Sequence, residues 1–271
     1  MSTTGRPRSA APTALVTGAS SGIGRALASC FAASGHRLVL VARGEAALEE
    51  VAQALREAHG VAVDVIATDL ACPGAPAALA QALRRRRRPI DVLVNCAGVV
   101  RQDAFVAQDA AAHQRLVDLN VSALTAMLAA FVPGMVARGA GRVLNVASIA
   151  AFHPAPGLAV YAASKAFVLS LTESLAEELR GTGVTATVLC PGITATAMLD
   201  RASARRPSLR ELPSALVGDA DEVAEAGHRA CLAGEVVVVP GAINRAIAVA
   251  ARLAPQGLVR EVAGFVAERL D

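Results

Sequence analysis

Short apolar runs rich in β-branched residues recur along the chain, at Ala14–Thr17, Arg37–Ala42, Val63–Thr68, Asp91–Asn95, Arg142–Ala147, Thr185–Cys190 and Glu235–Val239. Most are nearly continuous instead of alternating with polar residues, as strands covered on both faces are. Between them lie helical patterns, over Gly24–Ser34, Ala46–Ala58 and Tyr161–Arg180 among others. Strand and helix alternate throughout, which predicts an α/β fold. Its form is a doubly wound parallel sheet of about seven strands, flanked by helices through right-handed crossovers.

Three stretches escape the alternation. Residues 1–12 hold two arginines and no apolar segment, so they are expected to be a disordered tail and not a secretion signal. Met198–Val217 mixes Arg, Pro and Ser with sparse apolar positions and is expected to form an irregular loop or lid. At the C-terminus Leu258, Val262, Phe265, Val266 and Leu270 share one helical face, which predicts an amphipathic helix packed on the body or on a partner; a membrane-surface role is the other reading of that face. The expected division is therefore the tail, a catalytic domain over 13–241, and a helical extension over 242–271 on the same domain. The most apolar stretch, from Val121, is interrupted by Ser, Thr and Pro, so no transmembrane segment is expected.

Composition narrows the picture. The chain has 271 residues, enough for a substantial core, and its 54% hydrophobic content includes few aromatics, which favours close-packed helices on strands. The formal charge of +3 calls for no polyanion. Arg84–Arg88 form a cationic run just before Pro89, suited to a helix C-terminus and lacking the stacking aromatics of a nucleic-acid site. Five scattered cysteines without a C-x-x-C suggest neither disulfides nor zinc, and a reducing, cytoplasmic location is expected. The five histidines show no ligand spacing, so no metal is expected; only His153 falls in the loop that carries the candidate chemistry.

That chemistry begins with TGASSGIG at Thr17–Gly24, which follows the first strand and opens the first helix. Glycines let the backbone approach an anion, and the helix N-terminus holds it, so a pyrophosphate fits the turn at Gly18, Ser20, Ser21, Gly22, Ile23 and Gly24. The same letters match G-x-S-x-G, which would make Ser20 a hydrolase nucleophile. At the end of the second strand, where an NAD enzyme carries a ribose-binding acid, stand Ala42 and Arg43. A guanidinium there suits a 2′-phosphate, which favours NADP(H).

Tyr161 and Lys165 are the chain's only tyrosine and only lysine, whereas 25 of its 26 Lys/Arg residues are arginine. Four residues apart on a helix, they share a face. At about 4 Å and an effective dielectric near 20, an ammonium stabilises a phenolate by roughly 4 kcal/mol. That is about three pKa units, which predicts a phenol brought from about 10 toward 7 and able to donate and recover a proton.

Together TGASSGIG, Asn95-Cys-Ala-Gly98, Asn120, Ser148, Tyr161-Ala-Ala-Ser-Lys165 and the PGITAT segment from Pro191 resemble the short-chain dehydrogenase/reductase family over roughly Thr13–Gly241. One departure is Cys96, where the family more often has asparagine. The resemblance implies a Rossmann-type fold and a carbonyl reduction in which Tyr161 is the acid, Lys165 lowers its pKa and binds ribose, and Ser148 holds the substrate oxygen. Asn120 would fix a water leading to solvent. Asp69 and Leu70 would flank adenine, Asn95, Ala97 and Gly98 would border the cofactor, and Pro191, Gly192, Ile193 and Thr196 would meet the nicotinamide. The non-enzymatic alternative is an NADP-binding sensor on the same fold.

The loop after Ser148 and the Val99-Val100 pair are mostly apolar, so a lipophilic ketone or acyl chain is the expected substrate. Arg201, Arg205, Arg206 and Arg210 would either greet a carrier-bound acyl chain or form a solvated basic surface. Helices from His113 and Tyr161, apolar over more than one face, are expected to pair in a homodimer or homotetramer.

Overall fold

A computed structural model describes residues 11–86, 88–196 and 217–270. Nearly all of the expected tail, nearly all of the expected lid with its four arginines, and Arg87 lie outside the described residues, as do the side chains of Val266 and Leu270. Seven parallel strands form one sheet in the order β3-β2-β1-β4-β5-β6-β7. They are β1 (Thr13–Thr17), β2 (Arg37–Ala42), β3 (Val63–Ala67), β4 (Val92–Asn95), β5 (Gly141–Val146), β6 (Val184–Leu189) and β7 (Val237–Val238). Central β1 and β4 are buried at every position, which accounts for their unbroken apolar sequences. The run at 235–239 pairs over only two residues, because left-handed Gly234 precedes it and Pro240-Gly241 follows at the sheet edge.

Nine helices are described: α1 (Gly22–Ala33), α2 (Glu45–His59), α3 (Ala75–Arg85), α4 (Ala110–Val117), α5 (Leu124–Arg138), α6 (Ala159–Glu178), α7 (Ala220–Ala233), α8 (Ala242–Leu253) and α9 (Gln256–Leu270). One sheet face is covered through Leu27, Phe31, Leu48, Leu55, Val223 and Cys231, contributed by α1, α2 and α7. The other is covered through Leu79, Leu83, Met127, Met135, Val168 and Leu169, contributed by α3, α5 and α6. By length and composition alone the continuous helical run Ala110–Arg138 could cross a membrane. Its Leu124, Met127, Leu128, Val132 and Met135 are nevertheless buried, as in the layer helix of a packed core.

Between α4 and α5 the helix widens into a π-turn, Asp118–Ala123. Apolar periodicity cannot reveal one extra residue in a turn, so the sequence predicts plain helix there. Such widenings are frequent at functional sites, and this one holds Asn120.

Strand order reverses between β1 and β4, opening the crevice where doubly wound sheets bind ligands. Thr17 fastens the two strand ends together. Its Oγ1 accepts hydrogen bonds from the Cys96 and Ala97 amides, each at 3.0 Å, and donates to the Val94 carbonyl at 3.3 Å.

Candidate active site

The glycine turn is forced by contact as much as by conformation. Gly18 has φ +68°, and a Cβ on it would lie 2.9 Å from the Ala97 Cα; on Gly24 a Cβ would lie 2.3 Å from the Gly18 carbonyl oxygen. Neither position admits a side chain. Helix α1 starts behind this turn, and its N-cap Ser21 makes no side-chain capping bond, so first-turn amides remain open to an anion. Ser20 lies in the same turn and has no hydrogen bond to a histidine among the described residues, which leaves the hydrolase reading without its base.

One continuous cavity of about 1140 Å³ runs from this turn across the strand ends. Arg43, Asp69 and Leu70 line it beside the turn, then Ala97 and Gly98, then Ser148, Tyr161 and Lys165, with Pro191, Gly192, Ile193 and Thr196 opposite. Arg43 is exposed and joins no ion pair among the described residues. Two expected site residues do not line the cavity. Asn95 is buried and donates to Asn145 Oδ1 at 2.9 Å, and Asn145 donates in turn to Thr172. Its expected cofactor contact is therefore replaced by a polar link between β4, β5 and α6.

Asn120, the other, acts on the cavity's backbone. Its Oδ1 accepts from the Val99 amide at 2.9 Å, while Nδ2 donates to the Val99 carbonyl at 3.0 Å and to Ser164 Oγ at 3.1 Å. A Cβ on Gly98 would meet Asn120 Oδ1 at 3.3 Å and Lys165 Nζ at 3.5 Å. The π-turn thus brings Asn120 beside the lysine while clamping the loop after β4.

Ser148 lies two residues beyond β5, in extended conformation, and starts a 3-10 turn, Ile149–Ala151, its Oγ accepting from the Ala150 amide at 3.2 Å. Thirteen residues on, α6 presents Tyr161 and Lys165. The lysine is 6% exposed, donates to the Val146 carbonyl at 2.9 Å, and sits over the Tyr161 ring 5.6 Å from its centroid.

The spacing of these two residues is as expected, but the electrostatics are not. Burial pushes the Tyr161 phenol above its ordinary range, opposed by a hydrogen bond with Ser148, with Cys96 adding to the rise. Burial also brings the Lys165 ammonium down to about 8. The expectation of a phenol drawn toward neutrality by the lysine is corrected accordingly. Loss of solvation outweighs an ammonium that lies over the ring face and spends a proton on a carbonyl.

Sequence reasoning did not foresee the cavity's roof. Ile247 and Ala251 of α8 and Leu258, Val259 and Val262 of α9 line it, facing the apolar loop between Ser148 and Tyr161. Arg252 holds α8 in place, bonding Glu173 at 2.7 Å and stacking 5.0 Å from the Phe152 ring centroid. An amphipathic pattern signals a face to be covered, not what covers it.

A parallel sheet with a glycine-turn crevice and an adjacent Ser-Tyr-Lys constellation defines a dinucleotide-dependent oxidoreductase class. Residues 12–207 match the short chain dehydrogenase family model. The chain belongs to this family and is an oxidoreductase acting on carbonyl and alcohol groups.

It is 35% identical over 220 residues to 2-(R)-hydroxypropyl-CoM dehydrogenase of Xanthobacter autotrophicus, covering 79% of this chain and 88% of that one. Among solved structures, a short-chain dehydrogenase from Sphingobium yanoikuyae in complex with NADPH is 39% identical with TM-score 0.81, over 91% of this chain and 94% of the other. The bulky-bulky ketone specific alcohol dehydrogenase from Comamonas testosteroni is 36% identical with TM-score 0.76, over 93% and 95%.

Proposed function

We propose that this chain uses NADP(H) to interconvert a bulky, lipophilic ketone and its secondary alcohol. The observation that carries the reading is the single cavity of about 1140 Å³ that joins the glycine turn and Arg43, the Ser148-Tyr161-Lys165 group, and the apolar roof. The first-turn amides of α1 would hold the pyrophosphate and Arg43 the 2′-phosphate. When bound there, the cofactor supplies hydride to the carbonyl carbon.

In that reading Ser148 donates a hydrogen bond to the carbonyl oxygen and Tyr161 delivers the proton that makes it a hydroxyl. The raised proton affinity of the half-buried phenol favours the protonated form, the one a reductase needs. Lys165 keeps the region positive below about 8 and offers its remaining N–H donors to ribose. Asn120 holds the Val99 loop and supports a proton-relay water. The family's paired-helix contacts support a homo-oligomer, and residues 242–271 are taken as part of the catalytic unit because they supply its roof.

The kinship to a bulky-ketone dehydrogenase and to an NADPH-bound enzyme supports substrate size and cofactor choice, respectively. The test is turnover of a graded ketone panel with NADPH and, separately, NADH. Turnover with NADPH that rises with ketone bulk is expected. Tight NADPH binding with no turnover on any ketone would instead favour the sensor.

A further inference from the structure

Beyond Ser148 the cavity wall is mostly apolar, and its polar side chains include Gln102, Thr194, Asn244 and His153. Asn244 Nδ2 donates to the Pro240 carbonyl at 2.9 Å and the Thr194 hydroxyl to the Gly192 carbonyl at 3.1 Å, so both side chains are tied to nearby backbone. His153 lines the cavity from the loop between Ser148 and the helix of Tyr161. Its Nδ1 lies 2.9 Å from the Pro154 carbonyl oxygen.

A carbonyl only accepts, so Nδ1 must carry the hydrogen, and in the neutral ring Nε2 is then a bare lone pair. Nε2 has no partner within the chain among the described residues. The loop that carries it is fastened across the cavity, the Asp103 amide donating to the Gly157 carbonyl at 2.9 Å.

We propose that His153 is a specificity-determining residue whose Nε2 accepts a hydrogen bond from a hydroxyl on the substrate, apart from the reacting carbonyl. The favoured substrates are thus lipophilic hydroxyketones and the corresponding diols. The inference rests on the carbonyl-reductase reading and adds to it a second recognised group. A ketone or ether oxygen in that place gains nothing, since neither donates.

The experiment measures kcat/KM with NADPH for a nine-carbon dialkyl ketone and for isomers bearing one hydroxyl on successive carbons. It compares the wild-type enzyme with His153→Phe and His153→Gln. One isomer should exceed the parent ketone by about tenfold in the wild type, the scale of one net hydrogen bond. His153→Phe should erase that advantage, so that within this variant the hydroxy isomer and the parent ketone turn over with similar kcat/KM. His153→Gln, which restores an acceptor oxygen, should recover part of it, and the O-methyl ether of the preferred isomer should fall back to the parent's rate.

A hydroxyl preference that survives in His153→Phe, or an ether as good as the alcohol, overturns the assignment, as does a series in which no isomer outperforms the parent. Parent turnover without hydroxyl preference leaves the reductase reading standing. Absence of turnover on every compound defeats that reading and this one together.

Discussion

Lys165 provides a direct measurement of how strongly this site is desolvated, because it is the only lysine in the chain. Burial brings its ammonium from 10.5 down to about 8. The difference corresponds to roughly 3 kcal/mol at 1.36 kcal/mol per unit. The sign follows from proton counting. Between about 8 and 10.5 the unfolded chain holds this proton and the folded chain does not, so the contribution to stability rises with pH across that window. Below it the folded protein bears the full cost of the buried charge. Labelling with lysine enriched in 13C at Cε yields one resonance, whose shift against pH reads the proton directly in the cofactor-free protein. A midpoint near 8 is expected; one at 10.5 would show that the ammonium is solvated, and the reasoning from burial would fail.

Three substitutions test the rest of the site. Tyr161→Phe should lower kcat by about 100-fold or more, the scale of a lost general acid, while NADPH affinity measured by fluorescence stays the same; near-normal turnover would remove Tyr161 from the chemistry. Arg43→Ala should weaken NADPH binding by about 1.5–3 kcal/mol, as for a lost charged hydrogen bond, and leave NADH binding untouched; unchanged discrimination would discredit the 2′-phosphate assignment. In Gly24→Ala the new methyl meets a backbone oxygen at 2.3 Å. Overpacking of this kind costs about 1–3 kcal/mol, so a fall of several degrees in Tm and weaker NADPH binding are expected together. An undisturbed Tm would mean the turn can shift.

The strands were readable because a parallel sheet covered on both faces needs unbroken apolar runs, and β1, β2 and β4 have them. The phosphate turn was readable because Gly18 and Gly24 are required by backbone contacts that no other residue tolerates. What escaped depends on surroundings that spacing does not encode. Four-residue separation placed Tyr161 and Lys165 on one face, yet the sign of the phenol's shift was decided by burial under elements far away in sequence. Asn95 was read as a cofactor neighbour from its motif, whereas the polar partner that claims it, Asn145, lies on another strand. Of the roof, only the apolar face of α9 was visible, as a helix packed on the body or on a partner; that it covers the cavity together with α8 was not.

The abundance of arginine makes the single lysine physically meaningful. Each described ion pair is arginine with a carboxylate, the Arg88–Asp64 and Arg252–Glu173 pairs among them, on partly or well exposed side chains. Lys165 is different in kind. It is buried with no carboxylate partner among the described residues, and the groups coupled to it are two thiols, Cys96 and Cys190. Those thiols are pushed up to about 11 and about 12, so they carry no charge at neutral pH and cannot balance it. A buried cation without a counter-charge costs several kcal/mol, and a guanidinium, which does not give up its proton, would bear that cost at every accessible pH. An amine can release its proton near 8 and regain it when a polar ligand enters. The position thus calls for a cation whose charge responds to its surroundings, which lysine provides and arginine does not.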